Sequence, residues 1–312
     1  MKRLIVVVFI SLMCLINTIA SAGTVISPKE TQMINEFNLP IPNENRNIRL
    51  RFSQPQKTSK KPPQLVIIAT GLYSYMDKES QKLLAKSYQK AGFATLQFNF
   101  MAHGKDKNKS DGDMQNVTVS SGIKDLKAVW DYAKQNLSHK VNTDDIIIAA
   151  NSYGAIVSLI ALEQKIISPE SMILVAPFSL RQLKSWCLPF KLFAMLMPNL
   201  VVKMLKIPVH PALIRDLLRY HRNAISTKNL LGRTAIHFFV GADDKIASGT
   251  EIKKWCEQFN SQQPDNIPFV DNVQAHYKIY KDVPHFNIPV IVDKDIRKRS
   301  IDFIKKTHDI RS

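Results

Sequence analysis

Apolar residues along this chain fall in short unbroken runs, and the segments between the runs repeat their apolar positions at helical spacing. Gln64–Ala69 (QLVIIA), Ile146–Ala150 (IIIAA), Met172–Ala176 and Ala235–Val240 are apolar almost throughout, the pattern of strands buried on both faces. Ala94–Phe100 and Ala275–Tyr280 read as further strands, and Ile48–Phe52 alternates as a half-buried one. Helical spacing covers Asp77–Lys90, with Gly92 as its stop, then Ser120–Asn136, Ser248–Phe259 and the basic stretch Asp293–Lys306. Strands alternating with helices predict an α/β fold with a mostly parallel central sheet and helices on both faces. The polar, proline-containing stretch Gly23–Asn47 reads as an extended or irregular lead-in.

One segment breaks the alternation. Residues 178–230 hold apolar helical pieces around Trp186–Met197, Leu200–Leu205 and Pro211–Tyr220, separated by prolines. An insertion after a strand end predicts a helical lid over a site. It carries nine Lys or Arg and one acid, Asp216.

At the amino end, Lys2 and Arg3 precede the apolar run Leu4–Ile16 and the small-x-small site Ala20-Ser21-Ala22. This is the pattern of a secretory signal cleaved near Ala22, which predicts a secreted or periplasmic protein with residues 23–312 as its folded domain. An uncleaved anchor is the alternative, although the run is shorter than the roughly 20 residues of a membrane span. Beyond the leader the cysteines are Cys187 and Cys256. They form one disulfide in an oxidising compartment or remain two buried thiols, and the sequence leaves both open. The formal charge of +17 favours anionic partners, membrane headgroups included. Nucleic acid is not an expected partner, because no aromatic-and-basic stripe accompanies the charge.

The chemistry is carried by the turn after Ile146–Ala150. Asn151-Ser152-Tyr153-Gly154 joins that strand directly to an apolar helix, so Ser152 stands on a strand-to-helix elbow between the small residues Ala150 and Gly154. Such a turn exposes a serine hydroxyl and directs the next backbone N–H at the reacting oxygen. An acid and a base are then expected on loops after later strands, acid first. Ala235–Val240 ends in Gly241-Ala242-Asp243-Asp244, where Gly-x-x-Asp spacing selects Asp244, with Asp243 the alternative. Ala275–Tyr280 leads to His285. Ser152, Asp244 and His285 are therefore the candidate triad. The candidate oxyanion donors are the N–H groups of Tyr153 and of Leu72, which follows Gly71 in the loop after Gln64–Ala69. Tyr73 either borders the site or packs under the lid.

With these residues in place, the chain resembles the α/β-hydrolase superfamily. Phe98-Asn99-Phe100, His103-Gly104, Ser110-Asp111-Gly112 and Val117-Thr118-Val119 resemble motifs of its small-ester branch, that of cinnamoyl and feruloyl esterases and serine aminopeptidase-like hydrolases. The resemblance implies acyl-ester hydrolysis by Ser152, Asp244 and His285 with no metal or organic cofactor, and the apolar, basic lid segment suggests a small-molecule or lipid ester as the substrate. Three positions depart from the pattern: Thr70 stands for a histidine, Asn99 for an aspartate and Ala150 for the elbow's first glycine. An aminopeptidase of the same fold, or a non-catalytic relative that binds lipid or a protein partner, are the competing expectations.

Overall fold

The computed structural model describes residues 34–56, 59–177, 196–197, 199–200, 209–221, 234–244, 247–262, 275–283 and 293–311. Eight strands form one sheet: β1 (Ile34–Pro40), β2 (Asn47–Ser53), β3 (Gln64–Ala69), β4 (Ala94–Phe98), β5 (Asn142–Asn151), β6 (Ser171–Val175), β7 (Ala235–Gly241) and β8 (Ala275–Tyr280). Their order is β1-β2-β4-β3-β5-β6-β7-β8. β2 runs antiparallel to both β1 and β4, and every other pair is parallel. The described helices are α1 (Glu79–Lys90), α2 (Val119–Asn136), α3 (Tyr153–Glu163), α4 (Pro211–His221), α5 (Gly249–Ser261) and α6 (Asp293–Arg311).

Right-handed crossovers fix which helix covers which face. The step from β3 to β4 through α1 moves one way along the sheet, whereas β4 to β5 through α2 and β5 to β6 through α3 move the other. Consequently α1 lies on one face, packed beside α6, and α2 and α3 pack together on the opposite face. The strands between them are the core: Leu65, Ile67, Leu96, Phe98, Ile146, Ile147, Ile148, Leu174 and Phe238 are all essentially excluded from solvent. The direction of travel reverses between β3 and β5. In open α/β sheets the crevice for a ligand lies at the carboxyl ends of such a pair.

Two readings from the sequence are corrected. The stretch read as an extended or irregular lead-in pairs into the sheet as β1, an edge strand whose exposed and half-buried residues give no core pattern; Ile34 is 54% exposed. Glu36 on β1 meets Arg49 and Arg51 of β2 at 3.2 and 2.6 Å, and Arg51 also reaches Asp77 at 2.5 Å. Strand β5 begins four residues earlier than its apolar run: Asn142 pairs with Gln64, and the register then shifts through Thr143-Asp144-Asp145, half-buried or exposed residues that carry no apolar signature.

Most of the expected lid lies outside the described residues, as do Cys187 and the leader. Its described helix, α4, buries Leu213, Ile214, Leu217 and Leu218, and packs at the amino end of α2. There the Asp216 carboxylate accepts the Ser120 N–H at 2.7 Å and the Ser120 hydroxyl at 3.0 Å. Cys256 is buried and has no disulfide partner among the described residues.

Candidate active site

Ser152 occupies the junction of β5 and α3 with φ 48° and ψ −110°, a backbone conformation that L-residues rarely adopt. Its N–H donates to Val175 O at 2.8 Å, while its own carbonyl accepts the Ile156 N–H and so opens the helix. The turn is tight because α3 sits close against β3. A Cβ on Gly154 would lie 2.5 Å from Ala69 O and 2.6 Å from Thr70 O, so nothing larger than glycine fits. Ala150, in place of the elbow's first glycine, is buried inside the sheet between Ala69 and Leu174.

The loop after β3 lies against this turn. A Cβ on Gly71 would be 3.3 Å from Ser152 Cβ and 2.8 Å from Asn151 Nδ2, so the backbone carrying Leu72 passes directly beside the serine. Neither the Leu72 nor the Tyr153 N–H has an acceptor among the described residues. Tyr73 has φ 58° and is 45% exposed. Left-handed non-glycine residues recur along this edge of the sheet: Tyr73 after β3, Ala102 (φ 63°) after β4, Ser152 after β5, Ala176 (φ 47°) after β6 and Asp282 (φ 56°) after β8.

Asp244 follows β7 and is buried, whereas Asp243 is exposed. Asp244 Oδ1 accepts the Ala247 N–H at 2.7 Å, which fixes the carboxyl group. The β8 chain leaves from the same place: Gly241 pairs with Tyr280, and the Ala242 N–H donates to Tyr280 O at 2.7 Å. Val283 is the last described residue before His285, which lies outside the described residues. Ser152, Leu72, Tyr153 and Asp244 thus all stand at the carboxyl edge of the sheet, with Ser152 and Leu72 brought together at its topological reversal.

Beneath the elbow, the loop after β4 is stitched by side chains. Asn99 Oδ1 accepts the Met76 N–H at 2.8 Å and its Nδ2 donates to Asn108 O at 2.6 Å. An asparagine makes both bonds, whereas an aspartate carboxylate has no hydrogen to give Asn108, which accounts for the departure at this position. Ser110 Oγ donates to Asn99 O at 2.7 Å and accepts the Arg49 N–H at 2.9 Å. His103 is buried and donates from Nδ1 to Met101 O at 2.7 Å; burial holds its pKa below the usual histidine range. Asp125 on α2 accepts the Met101 N–H at 2.7 Å and lies 2.7 Å from Arg46. Burial raises its pKa to about 6 against the pull of Arg46. The sequence reading passed over Asp125 and Gly122, although a glycine inside a helix is itself a signal of close approach. Among the described residues, no three His, Cys, Asp or Glu side chains converge as they would around a metal ion.

A parallel sheet reversing at β3 and β5, with a strained serine turn at that reversal, defines an α/β hydrolase. The chain belongs to the hydrolase family described as serine aminopeptidase, S33, whose profile matches residues 60–238, more than half of its length. The match includes Ser152 and ends before Asp244. Among solved structures, the fold is similar to Est1E from Butyrivibrio proteoclasticus with ferulic acid bound, at 16% identity over 86% of this chain and 99% of that one, TM-score 0.59. It is similar also to the esterase Pf2001 of Pyrococcus furiosus, at 19% identity over 90% and 95% of the two chains, TM-score 0.60. Mouse alpha/beta hydrolase domain-containing protein 10 gives 16% identity over 89% and 100%, TM-score 0.61. At these identities the likeness is one of fold. Comparison with curated proteins finds no match.

Proposed function

We propose that the protein is a serine hydrolase of carboxylic esters, acting through Ser152, Asp244 and His285. The observation that carries the reading is the Ser152 turn, with its left-handed backbone and the Gly71-Leu72 segment packed against it at the reversal of the sheet. In this mechanism His285 takes the Ser152 proton as the hydroxyl oxygen attacks the ester carbonyl, and Asp244 holds the imidazolium that forms. The N–H groups of Leu72 and Tyr153 stabilise the oxyanion. The tetrahedral adduct collapses, the alcohol leaves with the proton from His285, and water then cleaves the acyl enzyme by the same route.

An ester is favoured over a peptide amine by Asp216. It is the acid of residues 178–230, where an aminopeptidase would seek a partner for the substrate's ammonium group, and both of its oxygens are engaged by Ser120. The basic composition of 178–230 suits an ester with an anionic head, and its apolar pieces suit an acyl chain. Hydrolysis of p-nitrophenyl esters from acetyl to palmitoyl, alongside Ser152→Ala, tests the reading. The expected result is turnover that disappears in Ser152→Ala, with a preferred acyl length. A folded protein that is inert on every ester and unlabelled by a fluorophosphonate rejects it in favour of a binding protein.

A further inference from the structure

We infer that the Tyr153 side chain is a positioning strut for the oxyanion site, clamped on the far side of the elbow so that its own backbone N–H keeps its aim. The inference rests on the ester-hydrolase reading above. The direction of that N–H is set by the peptide plane between Ser152 and Tyr153, and hence by the uncommon ψ of Ser152 and by where the Tyr153 Cα is held. A strained turn relaxes unless its surroundings over-determine it. At Tyr153 they do.

The ring is buried, meets Phe100 edge-on at 5.0 Å between centroids, and lies 11° from parallel to His103 at 6.2 Å. His103 is fixed in turn by its bond to Met101 O, and Met101 by Asp125. The Tyr153 hydroxyl donates to Thr118 O at 2.6 Å. Thr118 is the N-cap of α2 and is locked there by reciprocal bonds with Ser121, at 3.0 Å from the Ser121 N–H and 2.9 Å from its own N–H to the Ser121 hydroxyl. Burial pushes the Tyr153 pKa well above the ordinary tyrosine value, so the hydroxyl remains a donor.

Gly122 is the second, independent sign. It stands inside α2, where glycine destabilises a helix relative to alanine. A Cβ there would collide with the Tyr153 hydroxyl, stand 3.0 Å from Tyr153 Cζ and 2.8 Å from Val157 Cγ2. The helix gives up a better residue at the spot where the hydroxyl needs room. Ring burial alone would be served by phenylalanine; the hydroxyl adds a fixed end to the strut, attached to the cap of a different helix.

The test compares Tyr153→Phe with Thr234→Val, which removes another buried hydroxyl bond, to Pro169 O at 2.8 Å, at the opposite end of the sheet. Both are measured for kcat and KM on p-nitrophenyl butyrate and for inhibition by phenylboronic acid. Ser152 Oγ adds to the trigonal boron as its proton passes to His285, giving a reversible tetrahedral boronate that occupies the oxyanion site. For Tyr153→Phe we expect kcat to fall about tenfold, short of the roughly hundredfold for outright loss of a donor. KM should stay within about twofold and the boronate Ki should rise about as much as kcat falls, because only tetrahedral states need the N–H in place. Thr234→Val should lose thermal stability and keep its kcat. Gly122→Ala, which displaces the hydroxyl without deleting it, should reproduce the kcat loss and serves if Tyr153→Phe does not fold. Wild-type kcat in Tyr153→Phe, or an equal loss in Thr234→Val, overturns the strut. Fluorophosphonate labelling separates the two failures: a labelled wild type with an unaffected Tyr153→Phe removes only the strut, and an unlabelled wild type removes the hydrolase reading beneath it.

Discussion

Replacing His237 by phenylalanine should stabilise the protein, and stabilise it more in acid. His237 lies on β7 beneath α6, stacked on Phe239 at 4.4 Å, edge-on to Phe303 at 5.1 Å and 6.0 Å from the His276 ring. Both of its ring nitrogens are buried without a hydrogen-bond partner among the described residues. Burial, with smaller contributions from His276 and Arg299, lowers its pKa from 6.5 to about 4. Because the unfolded chain titrates near 6.5 and the folded one near 4, the unfolded state binds more protons between those values, and stability is lost as pH falls through that window. At pH 5 this linkage amounts to about 2 kcal/mol, and at pH 7 it is close to zero. The unpartnered nitrogens add a cost of about 1 to 2 kcal/mol at any pH. His237→Phe keeps the ring stacking and removes both effects. It should therefore be more stable than the wild type by about 1 to 2 kcal/mol at pH 7 and about 3 to 4 kcal/mol at pH 5. Urea unfolding followed by tryptophan fluorescence at pH 7, 6 and 5 measures the difference. A gap between the two proteins that stays constant across this range would refute the assignment of His237 as a buried neutral imidazole.

Gly154→Ala should cost about 2 to 3 kcal/mol and abolish fluorophosphonate labelling, since the new methyl meets the rigid carbonyls of Ala69 and Thr70; labelling at the wild-type rate would show that the elbow yields. Asn99→Asp should lower stability by about 2 to 3 kcal/mol at neutral pH by setting a carboxylate against Asn108 O, and the loss should shrink in acid as the carboxyl gains a proton to donate. Thermal melts at pH 7 and pH 4.5 check both halves of that statement. Asp244→Asn should reduce kcat on a p-nitrophenyl ester by about 10³ to 10⁴ with little change in KM, whereas exposed Asp243→Asn should turn over normally. The reverse result would transfer the acid's role to Asp243.

The parallel core was legible because strands buried on both faces must be apolar at every position. QLVIIA and IIIAA appear in the structure as β3 and the inner part of β5 with little alternative. β1 was not, because an edge strand held by Arg49, Arg51 and Glu36 does not carry its stability in apolar residues. At the candidate site, the strand-to-helix turn was readable from the small residues flanking Ser152, whereas the choice between Asp244 and Asp243 rested on Gly-x-x-Asp spacing alone, which carries no information about burial. The supporting shell was opaque for a different reason. Asn99, Asp125 and Gly122 act through partners 9 to 31 residues away in sequence, on Asn108, Met101 and Tyr153, and no local pattern records such a pairing.

The five left-handed residues at the strand ends put tension along one rim of the molecule. Each holds a conformation that costs an L-residue about 1 to 2 kcal/mol, so together they store energy comparable with the whole net stability of an ordinary domain. The interior of the sheet must supply the excess that keeps the rim taut. Heat should then slacken the rim while the core still stands, and reactivity at Ser152 should fade at temperatures where the far-ultraviolet helix signal is intact. Hardening such a protein against heat and preserving its turnover become separate design problems: relieving Ala102 or Ala176 with glycine removes strain, but it also removes some of the stiffness with which neighbouring loops are aimed.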